Sequence, residues 1–183
     1  MELLEAVNTV LPCLGEHVIT RIETSKHPTV DLIVAAIERQ RKSLLLDGWW
    51  FNDTVQTIPV NTDGRIAVPL DTLVARGIDC DVVNRGGFFV DLANNTYYFT
   101  RPIKVRILTN WEFNELPEAA ALAVTYLAGI EVFNADLGAD NALSVMQSYA
   151  NNNLALLRQE NLRSRRYNAR TNARKSSSLR TWR

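Results

Sequence analysis

The chain has 183 residues, 46% of them hydrophobic, with 20 basic and 20 acidic groups. That size suits one folded domain, with room for a small insert. The longest apolar run, AAALAVTYLAGIEVF, is too short and too interrupted by Tyr126 and Glu131 for a helical membrane span. The amino-terminal MELLEAVNTVL has no basic stretch and no cleavage site, so no signal peptide is expected.

The zero net charge conceals an asymmetry. Residues 163–183 hold eight Lys or Arg and no acid, leaving 12 basic and 20 acidic groups in the first 162. Charge segregated in this way marks a segment that seeks an acidic partner, either nucleic acid or an acidic protein surface.

In chain order, residues 2 to 12 predict a first helix. Leu3, Leu4, Val7, Val10 and Leu11 share a face, and Pro12 with Gly15 ends the run. A second helix starts near Pro28, where a first-turn proline loses no needed hydrogen bond. Val30, Ile33, Val34, Ile37, Leu44 and Leu45 form its apolar side, the stretch Glu38 to Lys42 is mostly polar, and Gly48 stops it. The adjacent tryptophans of GWWFND are expected to pack the helix end onto the next element.

Residues 54 to 69 change period. TVQTIPV, NTDG and RIAVP predict a hairpin turned by Asp63-Gly64, with Pro59 confining its first strand to an edge or a bulge. PLDTLVARG reads as a loop or short helical turn. Strands are then expected near 80–84 and 87–91, and again at IKVRILT, 103–109. Helix returns at Pro117, and PEAAALAVTYLAGIEVFNADLG is apolar almost all round, as befits a central helix. Gly138 reads as its C-terminal glycine and Asp140 as the cap of a last helix, whose stripe is Leu143, Met146, Ala150, Leu154 and Leu157. After Leu162 only Tyr167, Leu179 and Trp182 are large apolar or aromatic anchors. Fixing each residue costs roughly 1–2 kcal/mol, so this segment is expected to order only against a partner.

The glycine pair in VVNRGGFFVDLANNTYYF, Asn84-Arg85-Gly86-Gly87, raises the question of a phosphate loop. Such a loop needs a helix amino terminus just after it, and an aromatic strand follows instead. The stretch is therefore read as a hairpin bend, with Arg85 at a tip that can touch a neighbouring subunit. In WEFNELPE, Glu112, Glu115 and Glu118 could supply the paired carboxylates of a glycoside hydrolase. Acids at a helix start equally complement its partial positive charge. Glu131, inside the apolar helix, is expected to pair with an arginine, with a subunit contact one place to find it.

Other chemistry is sparse. There is no nucleophile elbow, His17 and His27 fall in a predicted loop, and Asp71, Asp79, Asp81 and Asp91 make no calcium-loop pattern. Cys13 and Cys80 have no metal spacing and read as free, buried thiols of a reducing compartment. No catalytic residue, metal or cofactor is expected. The basic end is the richest feature: Arg163, Arg165, Arg166, Tyr167, Arg170, Arg174, Lys175, Arg180, Trp182 and Arg183 fit a nucleic-acid contact or a docking arm, beside the plain reading of a solvated tail. Tyr, Trp and Arg are enriched at interface hot spots, which favours docking.

Three stretches in this order carry a likeness: LLLDGWWFN, VVNRGGFFVDLANNTYYF and KVRILTNWEFNELPEAAALAVTYLAGIEVF. The second has an Asn-Arg-Gly-Gly-aromatic hairpin; the third has Phe113, Glu115 and Pro117 before a helix that ends on Phe133. Over residues 2 to 160 the sequence resembles the tail tubular protein A family of podoviruses, the head-to-tail adaptor or gatekeeper ring. The arginine-rich end departs from the family pattern.

The resemblance implies an α+β, mainly α, fold: a four-helix bundle with a small antiparallel β insert, about 54–109, between the second and third helices. Residues 1–162 would be the adaptor domain and 163–183 an extended basic docking arm. It further implies a homo-oligomeric ring of about twelve copies. That ring would join the portal to the tail nozzle (tail tubular protein B) and surround the DNA exit channel, with tail fibres docking outside. The expected location is the virion's tail, after assembly in the host cytoplasm, with no membrane contact. A virion-associated glycan hydrolase and a DNA-binding protein acting through the basic tail are the alternatives.

Overall fold

A computed structural model of the chain describes residues 1–22, 27–136 and 142–165. Within them lie four α-helices and two small antiparallel sheets. Helix α1, Leu3–Val10, buries Ala6, Val7 and Val10 and tightens into a 3₁₀ turn, Leu11–Leu14, closed by Gly15. The stop expected at Pro12 and Gly15 is where the helix ends.

Helix α2, Pro28–Leu46, has proline in its first turn and buries Val30, Ile33, Ala36, Ile37, Leu44 and Leu45. It also buries Arg41, which the polar look of residues 38–42 concealed. Arg41 is only 2% exposed, and its guanidinium donates to the Glu38 carboxylate at 2.7 Å, to Asn110 Oδ1 at 3.0 Å and to the Trp111 carbonyl. It thus ties α2 to the segment that leads into the third helix. Its Nε has no partner, so this buried charge is only partly compensated.

The expected hairpin at Asp63-Gly64 is corrected by the strand pairing. Strand β1, Asp53–Ile58, does not pair with residues 65–68. The turn itself exists, since Asn61 N donates to Arg65 O at 2.8 Å. Beyond it, Arg65 and Ala67 make isolated bridges to Tyr98 and Phe88. PLDTLVARG is corrected too: it holds strand β2, Thr72–Gly77, after a turn in which Thr72 N donates to Pro69 O. Strands β3 (Val82–Arg85) and β4 (Phe88–Asp91) form the predicted two-stranded hairpin.

Strand β5, Ile103–Thr109, is the centre of the other sheet, whose order is β1-β5-β2. Both outer strands run antiparallel to it, with a bulge between Thr72 and Val74 in β2. The reason lies in its alternation: Ile103, Val105 and Ile107 are buried, and Lys104 and Arg106 are exposed. The apolar face fixes the register of β5 against the core, and a central position pairs the backbone groups on both of its edges. Those three side chains join Ile66, Val82 and Phe89 in a β core separate from the helical one.

Helix α3, Glu118–Asp136, packs against α1, α2 and α4 (Ala142–Ser164). It buries Ala120, Ala121, Ala123, Val124, Thr125 and Ala128 on its inner sides, which explains a helix so apolar all round. On α4 the predicted stripe holds: Met146, Ala150 and Leu157 are buried, Leu143 and Leu154 half-buried. Gly138 and Asp140 lie outside the described residues.

The GWWFND stretch joins the two cores. Trp49 is buried in the helical core, where its indole N–H donates to Leu44 O at 2.7 Å. Asn52, fully buried, accepts from Trp49 N at 2.8 Å and donates to Leu45 O at 2.9 Å and Thr109 O at 3.3 Å. One amide side chain therefore fastens the end of α2 to the end of β5 with its polar atoms satisfied.

Candidate assembly surface

Of the basic segment that starts at Arg163, residues 163–165 are described. Arg163 is exposed in the last turn of α4, where a cation complements the helix dipole. The Arg165 side chain turns back, donating to Gly48 O at 2.9 Å and to Asp53 Oδ2 at 2.7 Å. On the same carboxylate, Arg106 donates through Nε to Oδ1 at 2.7 Å and through Nη2 to Oδ2 at 2.5 Å. The Asp53 side chain is 6% exposed. The Arg106 hydrogen bonds hold its carboxyl below the usual carboxylate range; burial opposes this, and the Arg165 hydrogen bond and both positive charges reinforce it. Asn161 adds a second tie, accepting from Trp50 N at 3.0 Å. Arg166, Tyr167, Arg170, Arg174, Lys175, Arg180, Trp182 and Arg183 lie outside the described residues.

Around this clasp is an open hollow of about 430 Å³, lined by Gly48, Asp53, Arg76, Arg106, Leu108 and Arg165 among others. Arg76 and Arg106 are register partners on adjacent strands, so two cations stand side by side on one sheet face. The sequence reading placed the basic character in the tail alone. The signal it passed over was period-2 spacing of Lys104 and Arg106 in IKVRILT, which puts both on the outward face.

The Asn84-Arg85-Gly86-Gly87 stretch is the tip of the β3–β4 hairpin, as the hairpin-bend reading expected. Arg85 pairs with Phe88 across a two-residue turn, and Gly86 and Gly87 have φ of +59° and +80°. Two successive positive φ angles match a turn of type I′, which glycines adopt without steric cost. Asn84 Oδ1 accepts from Gly87 N at 3.2 Å, and all four residues are exposed. The tip, on the β3–β4 sheet, and the arm's origin, at the end of α4, are thus separate features.

The suspected carboxylates are engaged structurally. Glu115 accepts from Glu112 N at 3.3 Å, closing the 3₁₀ turn before α3, and Glu118 lies 3.2 Å from the Met1 amino group. This arrangement gives the hydrolase reading no support. Glu131 does pair with an arginine, but within the chain: Arg39 Nη2 is 2.6 Å away and Gln40 donates at 2.8 Å. Burial alone would raise its carboxyl, and the Gln40 and Arg39 hydrogen bonds with the Arg39 charge bring it below its ordinary value. His27 lies 3.4 Å from Glu16 at the start of α2, and His17 is exposed. Cys13, expected buried, is exposed, and Cys80 is half-buried; both thiols are free. Among the described residues no group of three or more His, Cys, Asp or Glu could hold a metal, and no helix is long and apolar enough to cross a membrane.

Residues 4–167 match the family model described as tail tubular protein. The chain belongs to the tail tubular protein family. It is 33% identical over 169 residues to Tail tubular protein A of Klebsiella phage KP34, covering 91% of this chain and 90% of that relative. As a tail tubular protein it is a structural component of a phage tail. The matched span includes Asp53, Arg106 and Arg165, so the clasp lies inside the family's extent.

Proposed function

We propose that this tail tubular protein is the adaptor of the phage tail, forming a closed ring of about twelve copies. The ring joins the portal to the tail nozzle and surrounds the channel through which DNA leaves. Residues 163–183 act as the docking arm onto a neighbouring ring, with Trp182 as the anchor. In this reading the protein contributes shape and contact surface and leaves bond-making to others.

The single observation that carries the reading is the Arg165–Asp53 clasp at the arm's root. A tail held at its base to a mostly buried carboxylate has a defined direction of departure, as a docking arm requires. A merely solvated tail requires none. Deleting residues 166–183 leaves the clasp intact and tests the arm directly. The shortened chain should fold with an unchanged melting temperature, yet fail to join its portal or nozzle partner in electron micrographs of the mixture. Unimpaired joining would overturn the arm's assigned role.

A further inference from the structure

The two free edges of the β1-β5-β2 sheet are built differently. The β2 edge carries the devices that discourage pairing with a stranger: a bulge between Thr72 and Val74, the charged Arg76, and Gly77 at its end. Between its ends, the arginine-bound Asp53 and the following Pro59, the β1 edge has none of these. From Thr54 to Ile58 it reads Thr-Val-Gln-Thr-Ile, without charge, proline or bulge, and pairs with β5 residue for residue. Val55, Gln56 and Thr57 are exposed, and Val55 is 53% open to solvent. Among the described residues only β5 pairs with β1, so the N–H and C=O groups on the other side of β1 have no strand partner there. An unguarded edge rich in β-branched residues is a template for one more strand.

The charge beside this edge selects the occupant. By strand register, Val55 lies opposite Arg106, Thr57 opposite Lys104, and Arg106 opposite Arg76. One sheet face therefore carries Val55 and Thr57 at the rim and three cations behind them. Asp53 engages Arg106, whereas Lys104 and Arg76 have no ion-pair partner among the described residues. Beyond Arg165, whose charge Asp53 takes up, residues 166–183 carry only basic groups and are a poor match for Lys104 and Arg76.

We propose that β1 is a docking edge for an extended, acidic segment of another tail protein, added to the sheet by backbone hydrogen bonding. Alternate side chains of the incoming strand fall on the Val55–Thr57 face. Carboxylates there reach Lys104 on the strand behind β1 and lie in the longer-range field of Arg76 on the far strand β2, while the ladder itself is indifferent to sequence. The proposed edge starts at Asp53, the residue Arg165 grips, and so adjoins the arm's root; the proposal does not depend on the ring reading.

The test uses the full chain and a fluorescent peptide of about ten residues alternating Val and Glu, long enough to span a strand. Binding should weaken with salt and should slow amide hydrogen exchange within residues 54–58. A peptide of the same sequence, N-methylated at every residue, should lose binding, because both hydrogen-bonding edges are blocked while charge is kept. The double variant Arg76→Glu, Lys104→Glu should bind the Val-Glu peptide about fivefold or more weakly and prefer a Val-Lys peptide. Equal binding of the N-methylated peptide would overturn the proposal even if the double variant failed to fold. Protection elsewhere than residues 54–58 would also overturn it, as would a preference of the unaltered chain for duplex DNA or the Val-Lys peptide.

Discussion

Arg165, the last described residue of the chain, places its guanidinium 2.7 Å from Asp53 Oδ2, 112 positions earlier in sequence. Asp53 is also the first residue of β1, and Arg106 grips the same carboxylate from β5. Helix end, edge strand and central strand therefore meet at one side chain. Replacing Asp53 with Asn keeps the shape and removes the charge, leaving two guanidiniums facing a neutral group. The expected cost is about 1–3 kcal/mol, measurable as a lower urea midpoint.

The same carboxylate makes stability depend on acid. Its folded-state pKa lies below the ordinary value because of Arg106 first and Arg165 in addition. The unfolded chain therefore takes up the proton first as the pH falls. The contribution is complete above about pH 4 and is lost as the pH drops through the folded-state pKa. In the Asp53→Asn chain this part of the acid dependence should vanish, which urea midpoints between neutral and acid pH will show.

Arg41 predicts a larger loss. Its guanidinium is buried and donates to Glu38, Asn110 and the Trp111 carbonyl, so Arg41→Ala leaves unpaired acceptors and a void. About 2–4 kcal/mol should be lost. Arg41→Lys should recover little of it, because one ammonium cannot reproduce the spread of Nη1 and Nη2. Equilibrium unfolding of the two variants beside the parent chain is the check.

Two glycines should respond in opposite measure. A Cβ on Gly77 would sit 1.8 Å from the Cys80 carbonyl oxygen, so Gly77→Ala must move backbone between β2 and β3. A loss of about 3 kcal/mol or more is expected. At Gly86, φ is +59° and nothing lies within 4 Å of an added Cβ. Gly86→Ala should therefore cost only its left-handed backbone, about 1–2 kcal/mol, and Gly86→Asn less. Thermal melts of the three variants should fall in that order.

The helices were legible because their signals are local. Pro12, Pro28, Gly48 and Pro117 punctuate apolar runs of helical period, and the helices stop and start beside them. The β3–β4 hairpin was legible for the same reason, since Gly86-Gly87 demands its turn. The three-stranded sheet was not. β1 finds its partner across residues 59–102, and no turn signal marks so distant a pairing. The local cue at Asp63-Gly64 was real as a turn but lost as a hairpin, because the apolar face of β5 offered β1 a better partner. β2 was hidden behind Pro69, whose turn precedes the strand. The charged residues of the arm stood out by composition, whereas its fastening to Asp53 depends on a fold-level approach that no spacing encodes. The buried Arg41 was masked by polar neighbours that face solvent.

The central claim is that this chain works by closing into a ring and joining it to its neighbours. Native mass spectrometry of the purified full chain, alone and with its portal, tests this most directly. The account predicts a discrete closed oligomer of about twelve subunits that binds the portal through residues 166–183. A chain that stays monomeric at every concentration and in the presence of the portal would contradict it.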